Sequence, residues 1–268
     1  MVHRGNAGLA VVVGLVALGG FSAPALAAGL YAPEVVEAAA PTHKLELSAT
    51  LALTTDYVFR GISQTAGNPA VQGSFDASYG IFYAGIWGSN TDFGGGPFGQ
   101  DIANLEIDYY AGIAPTWKNF GFDFAALYYT YPGSCDTKCG TGNLDYLELK
   151  TAVSYTFAEK LKLGVANYWS PEYSGELGEA DALELSAAYA FSAKLFNFFS
   201  PSISGQLGWQ GFENKALDSY TYWNAGVTLG FLEKWSADVR YWDTDIEGCT
   251  SGLFSCNERV VGTVKATF

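Results

Sequence analysis

The sequence predicts an all-β fold, a transmembrane antiparallel up-and-down β-barrel of about twelve strands, and three observations predict it. The first is composition: hydrophobic residues make up 49% of the 268 residues and aromatics 16%, whereas charged residues reach only 15%, against about 25% in soluble domains. Much of the surface must therefore face something apolar. The second is an apolar/polar alternation of period two that returns along the chain, and the third is a regular succession of short and long connections. After the N-terminal segment no uninterrupted apolar stretch approaches the roughly 18 to 20 residues that a membrane helix needs. A closed barrel is the other way to satisfy every backbone polar group in hydrocarbon.

Taken in chain order, residues 1–28 have the parts of an export signal. Arg4 supplies the basic start, Leu9 to Phe21 the apolar run, and Ala25-Leu26-Ala27 the small-x-small site, so cleavage is expected after Ala27 or Ala28. Gly14, Gly19 and Gly20 interrupt the apolar run, which argues against a retained anchor. Residues 29–43, rich in Ala and Pro, are expected to be a flexible periplasmic lead-in, and residues 44–268 the barrel.

The first strand shows the alternation most clearly. Leu45, Leu47, Ala49, Leu51 and Leu53 point one way, and Lys44, Glu46, Ser48, Thr50 and Thr54 the other. Further strands are predicted near 70–79, 81–90, 104–114, 120–131, 146–157, 161–170, 181–191, 202–210, 220–231, 235–243 and 259–268. Tight turns fall at Gly80, Pro115 to Asn119, Ala158 to Lys160 and Leu232 to Lys234, with a longer one from Ser192 to Ser200. Longer polar or Gly-rich loops lie near 60–69, 91–103, 132–145, 171–180, 211–219 and 244–258. With the N-terminus in the periplasm, every long loop falls outside the cell. Aromatics such as Tyr128, Tyr129 and Tyr131, Tyr168 and Trp169, and Trp235, Tyr241 and Trp242 stand near strand ends, as interfacial girdles would. The last strand ends in Phe268, which resembles the terminal aromatic by which such barrels are handed to their assembly machinery.

The formal net charge of −13 makes nucleic acid an unsuitable partner, because phosphate binding calls for a basic patch. Four cysteines fit an oxidising compartment; of their three possible pairings the local one is favoured, Cys135 with Cys139 and Cys249 with Cys256. Neither spacing is a CxxC knuckle and no histidine is near, so no metal and no cofactor is expected.

The segment Thr54-Thr55-Asp56-Tyr57-Val58-Phe59-Arg60-Gly61-Ile62-Ser63-Gln64-Thr65 resembles the opening motif of the TorF porin family of proteobacterial outer-membrane proteins. Tyr83-Ala84-Gly85-Ile86-Trp87-Gly88-Ser89-Asn90 and Leu105-Glu106-Ile107-Asp108-Tyr109-Tyr110-Ala111-Gly112 resemble its next two blocks. What the resemblance implies is a porin-like role in the bacterial outer membrane, with support for fold rather than for a particular solute.

If the first strand continues through the opening motif, Asp56 and Arg60 share a face with Thr54 and stand beside each other. Such a pair would constrict the pore or, more in keeping with paired charges, fix the first external loop. Other charges on the predicted inner face are Glu46, Asp76, Glu106, Asp108, Asp123, Glu148, Lys150, Lys162, Glu184, Asp238, Arg240, Arg259 and Lys265. Their acidic excess predicts a mild preference for cations. A slip of one residue would reverse any of these faces, and Tyr83 and Trp87 line the lumen in one register and meet lipid in the other.

The expected function is passive or weakly selective diffusion of small hydrophilic solutes or ions through a narrow pore, with outer-membrane lipid and the assembly machinery as partners. Oligomeric state is left open. The alternative is a structural or adhesive protein with a plugged barrel. An outer-membrane lipid hydrolase is less favoured, and no catalytic residue is assigned: His3 leaves with the signal and His43 precedes the first strand, so no barrel-borne histidine can activate a serine.

Overall fold

The computed structural model describes residues 44–95, 101–135, 138–215, 217–249 and 254–268. The expected signal segment and lead-in lie outside the described residues. Twelve long antiparallel strands form the barrel, labelled β1 to β12 in chain order: Glu46–Thr54, Ala70–Tyr79, Phe82–Asn90, Leu105–Ile113, Phe120–Thr130, Tyr146–Phe157, Leu161–Ser170, Ala180–Ala190, Ser200–Phe212, Tyr220–Phe231, Trp235–Thr244 and Arg259–Thr267. Every strand pairs with its neighbours in sequence, and β1 also pairs with β12, which closes the sheet on itself. The terminal residue joins the seam: Phe268 N–H donates to Ala49 O at 2.9 Å and Phe268 O accepts from Ala49 N–H at 3.2 Å. A two-residue strand at Thr116–Trp117 folds back on β5 and completes the turn from β4.

Period-two sequences become strands here because closure gives each face one solvent. Outward positions carry Leu, Val, Ile and aromatic side chains that are exposed, among them Leu51, Leu53, Val71, Leu183, Val239 and Val260. Inward positions carry polar and charged groups that are largely buried, including Gln72, Asp76, Glu106, Glu148 and Arg240. The pairing runs Val153, Val165, Leu185 and Leu207 side by side across β6, β7, β8 and β9, an apolar row at mid-strand.

The tight turns, the start of β1 and Phe268 share one rim, and the six long connections leave from the other. One expectation about aromatics fails in part. Tyr128, Trp235 and Tyr241 face outward as girdle residues should, but Tyr129, Tyr131 and Trp242 are buried. Inward alternation, not nearness to a strand end, decides their side.

Leu185→Arg, at the middle of the apolar row, should cost about 2–4 kcal/mol of barrel stability, read from urea unfolding of the protein refolded into lipid vesicles. An unchanged midpoint would mean that this row does not meet hydrocarbon.

Candidate functional site

The first long connection does not stay on the rim. After Thr54 the chain leaves the wall and turns into the barrel, where Val58–Phe59 pairs with Ile62–Ser63. Arg60 and Gly61 form the two-residue turn, both with positive φ, 46° and 82°. Positive φ at both central positions is the type I′ geometry that matches strand twist, and Gly at the second position takes it without strain. The tip backbone is wedged against β10 and β11: a Cβ added to Gly61 would collide with Thr244 of β11 and press on Tyr222 of β10. Tyr57, Val58, Arg60, Ser63 and Thr65 are all buried.

Arg60 is the far-reaching member. Its Nη1 donates to Glu148 Oε1 of β6 and to Gln210 Oε1 of β9, both at 2.8 Å, and its Nη2 donates to Glu148 Oε2 at 2.9 Å. The ring of Phe59 lies 4.6 Å and that of Tyr168 5.2 Å from the guanidinium carbon. Glu148 also accepts the Tyr129 hydroxyl at 3.0 Å. With side chains exposed by only 3% and 2%, Arg60 and Glu148 form a desolvated pair. Such a pair persists only where geometry and added hydrogen bonds offset the loss of water, as the bidentate fork does here. Because β1 and β6 stand on opposite sides of a twelve-strand ring, the hairpin crosses the lumen.

Asp56 and Arg60 are therefore not partners, which corrects the expectation that they stand together. The strand ends at Thr54, so the alternation that would have aligned them is lost. Asp56 Oδ1 instead accepts from Ser63 Oγ at 2.7 Å and Thr65 Oγ1 at 2.8 Å, and its Oδ2 pairs with Arg259 of β12 at 2.7 Å. Arg259 continues to Ser255 O at 2.6 Å, and Ser63 N–H donates to the same carbonyl at 2.9 Å. Asp56 is the base on which the hairpin stands, and Arg60 is its tip.

The remaining predicted charges point inward and fall into separate groups. Lys150 pairs with Asp123 at 2.6 Å, and the Tyr83 hydroxyl donates to the same carboxylate at 2.6 Å. Arg240 pairs with Asp238 at 3.1 Å and donates to Asn224 and Ser204. Asp76 accepts from Tyr110 and Ser74. Glu106 accepts the Tyr57 hydroxyl at 3.0 Å, while Asp108 meets no donor beyond Glu106 itself. Burial and the adjoining Glu106 push the Tyr57 phenol well above its ordinary value, so it stays a donor. Tyr83 and Trp87 are buried inside the barrel, which resolves their register toward the lumen.

Two features escape a search for charges alone. Gln210, the second anchor of Arg60, sits on the polar phase of its strand with Ser202, Ser204 and Gln206, and that phase could have found it. Tyr57, Phe93, Tyr131 and Leu144 belong to a buried apolar cluster that fills the long-loop half of the barrel between β3 and β6. It forms from connections that fold inward, which alternation does not report. The local disulfides Cys135–Cys139 and Cys249–Cys256 are both present. The second closes the connection that supplies Ser255. At the long-loop mouth, Thr65, Asn68, Thr91, Asp92 and Asp101 line an open cavity of about 330 Å³.

Among solved structures, the fold is similar to a KdgM porin in complex with disordered oligogalacturonate, with a TM-score of 0.51 and 7% identity over 83% of this chain and 98% of that one. The COG4313 outer-membrane channel from Pseudomonas putida F1 gives a TM-score of 0.49 and 11% identity over 87% and 99%. LpxR from Salmonella typhimurium gives 0.47 and 7% over 82% and 99%. These likenesses concern the fold alone, a closed antiparallel β-barrel. No curated protein matches the chain. Residues 38–268 match a family model described as "Bacterial protein of unknown function (Gcw_chp)".

Gly61→Ala should displace the hairpin tip, since it adds a Cβ against Thr244 and forces positive φ on a residue that resists it, at about 1–2 kcal/mol. The urea midpoint in detergent micelles should fall accordingly. A midpoint equal to the wild type would show the tip is not seated against β11.

Proposed function

The chain belongs to the Gcw_chp family of bacterial proteins, and on that premise we propose that it works as a narrow outer-membrane channel for small hydrophilic solutes or ions. Export by the N-terminal signal, lipid around the barrel and the kinship to TorF porins form part of the same proposal. The observation that carries it is the lining: a closed barrel whose inner face, among the described residues, holds four ion pairs anchored on β5, β6, β11, β12 and the first long connection, while its outer face is apolar. A barrel with no aqueous interior gains nothing from so many inward charges, each costly to desolvate.

In this reading the hairpin is the constriction. Arg60 sets a positive charge where the lumen is crossed, and Asp56 with Arg259 holds the hairpin at its root. The acidic side chains around it supply the cation preference. The buried aromatic cluster between β3 and β6 favours a second reading, a plugged barrel whose disulfide-closed loops are the working surface. A lipid hydrolase has no support from the lumen, where no histidine stands on a strand.

Planar-bilayer recording separates the two. The wild-type protein should conduct weakly with a permeability ratio favouring cations, and Arg60→Ala should raise conductance by about two- to fivefold and strengthen that preference by removing the central positive charge. Silent membranes with both proteins, refolded as judged by heat-modifiable gel mobility, would overturn the channel and leave the plug.

A further inference from the structure

We infer that the lumen binds a divalent, oxygen-liganded cation at Glu106 and Asp108, a deepening that rests on the channel proposal. The two acids stand two residues apart on the inner face of β4, so their Cβ atoms are about 7 Å apart. Both are almost wholly buried, at 2% and 3% exposure. Glu106 Oε1 accepts from Tyr57, and apart from contacts of the two acids with each other and of Glu106 with Tyr131, no donor from the rest of the lining reaches Glu106 Oε2 or Asp108.

No base offsets them. Arg60 is committed to Glu148, Lys150 to Asp123, Arg240 to Asp238 and Arg259 to Asp56. The ring lying against Tyr57 on this side is Trp87, whose pairing partner across β3 and β4 is Asp108. Two acids so close and dry, with no base beside them, carry charge only against mutual repulsion and lost hydration, and a positive ion answers both penalties at once.

An independent, uncharged group supports the same place. Gln72 on β2 is 1% exposed, yet neither its amide oxygen nor its amide nitrogen has a partner. Gln72 pairs with Ser89 and Ser89 with Glu106, so the amide and the carboxylate stand in one row of the inner face with a single strand between them. The row adds an unpartnered amide oxygen one strand away from Glu106, with Asp108 two residues further along β4. Hard divalent ions such as Ca²⁺ take oxygen ligands and complete the shell with water.

Among the described residues, no three His, Cys, Asp or Glu side chains gather as a metal site. Two acids and one amide therefore imply a loosely held ion, with a dissociation constant on the order of 10⁻⁴–10⁻³ M, as in weak extracellular calcium sites. Weak binding is what a conducting path requires, since an ion must also leave.

The experiment uses the full chain refolded in micelles, with Tb³⁺ as the probe, luminescence excited through Trp87, and Ca²⁺ as the competitor. We expect saturable emission displaced by Ca²⁺, with affinity at least tenfold weaker in Glu106→Gln/Asp108→Asn and unchanged in Asp92→Asn/Asp101→Asn at the mouth. Thermal unfolding gives the second readout: Ca²⁺ should raise the wild-type midpoint, while in chelator the lumen double variant should be at least as stable as the wild type, having lost the repulsion. Emission that follows the mouth pair, or a lumen variant that binds as tightly as wild type, overturns the site. Because binding is read without current, conductance without binding sinks the site alone, and binding with silent bilayers sinks the channel alone.

Discussion

Everything in this fold follows from the requirement that a sheet leave no edge of unpaired backbone N–H and C=O groups. A sheet meets it only by closing, and the seam between β1 and β12 does so down to the final residue, where Phe268 and Ala49 exchange both bonds. Once closed, the sheet has an inside and an outside with different solvents, and each residue's phase in the alternation decides its environment. Leu185 and Glu184 are neighbours in sequence, yet one is exposed on the apolar row and the other receives the Tyr222 hydroxyl within the barrel.

Closure also sets the problem that the lumen has to solve. A ring of twelve strands is too narrow to keep every inward charge fully hydrated once connections fold into it. The hairpin at residues 58–63 brings a guanidinium into that space, and its desolvation is met by two oxygens of Glu148, one of Gln210 and two flanking rings. The same economy explains why Asp56 is surrounded by hydroxyls and Arg259. Glu106 and Asp108 are the exception, and an exception of this kind points outward from the protein to what it binds.

The strands were legible in the sequence because their signal is local. Every long strand lies within two residues of its predicted bounds at either end, and the inward phase predicted for Asp76, Glu106, Asp108, Asp123, Glu148, Lys150, Asp238 and Arg240 is the observed one. The hairpin was not legible as a hairpin, although Arg60-Gly61 between apolar pairs is a turn signal once one looks for it. Its partners lie 88 and 150 residues away for Arg60 and 203 for Asp56. Alternation carries no information over such distances, so the nearest opposite charge stood in for the true one. For the same reason Tyr129 and Tyr131 resembled girdle residues until the inward connections showed what they pack against.

The placement of the hairpin has a consequence for how the barrel can serve two ends at once. Its root lies among groups on the long-loop side, Asp56, Arg259 and Ser255, while its tip is held by β6 and β9 on the far wall. Held at both ends, the hairpin divides the cross-section. On one side stand the aromatic cluster and the buried acids of β4; on the other stand Gln210, Ser204, Asn224 and Arg240, a polar wall with hydrogen-bonded partners. In the proposed channel small, hydrated species suit the second side, where Arg240, Asn224, Ser204 and Gln210 are already hydrogen-bonded. A cation held in the proposed channel would be held on the first, because there two buried acids stand with no base beside them.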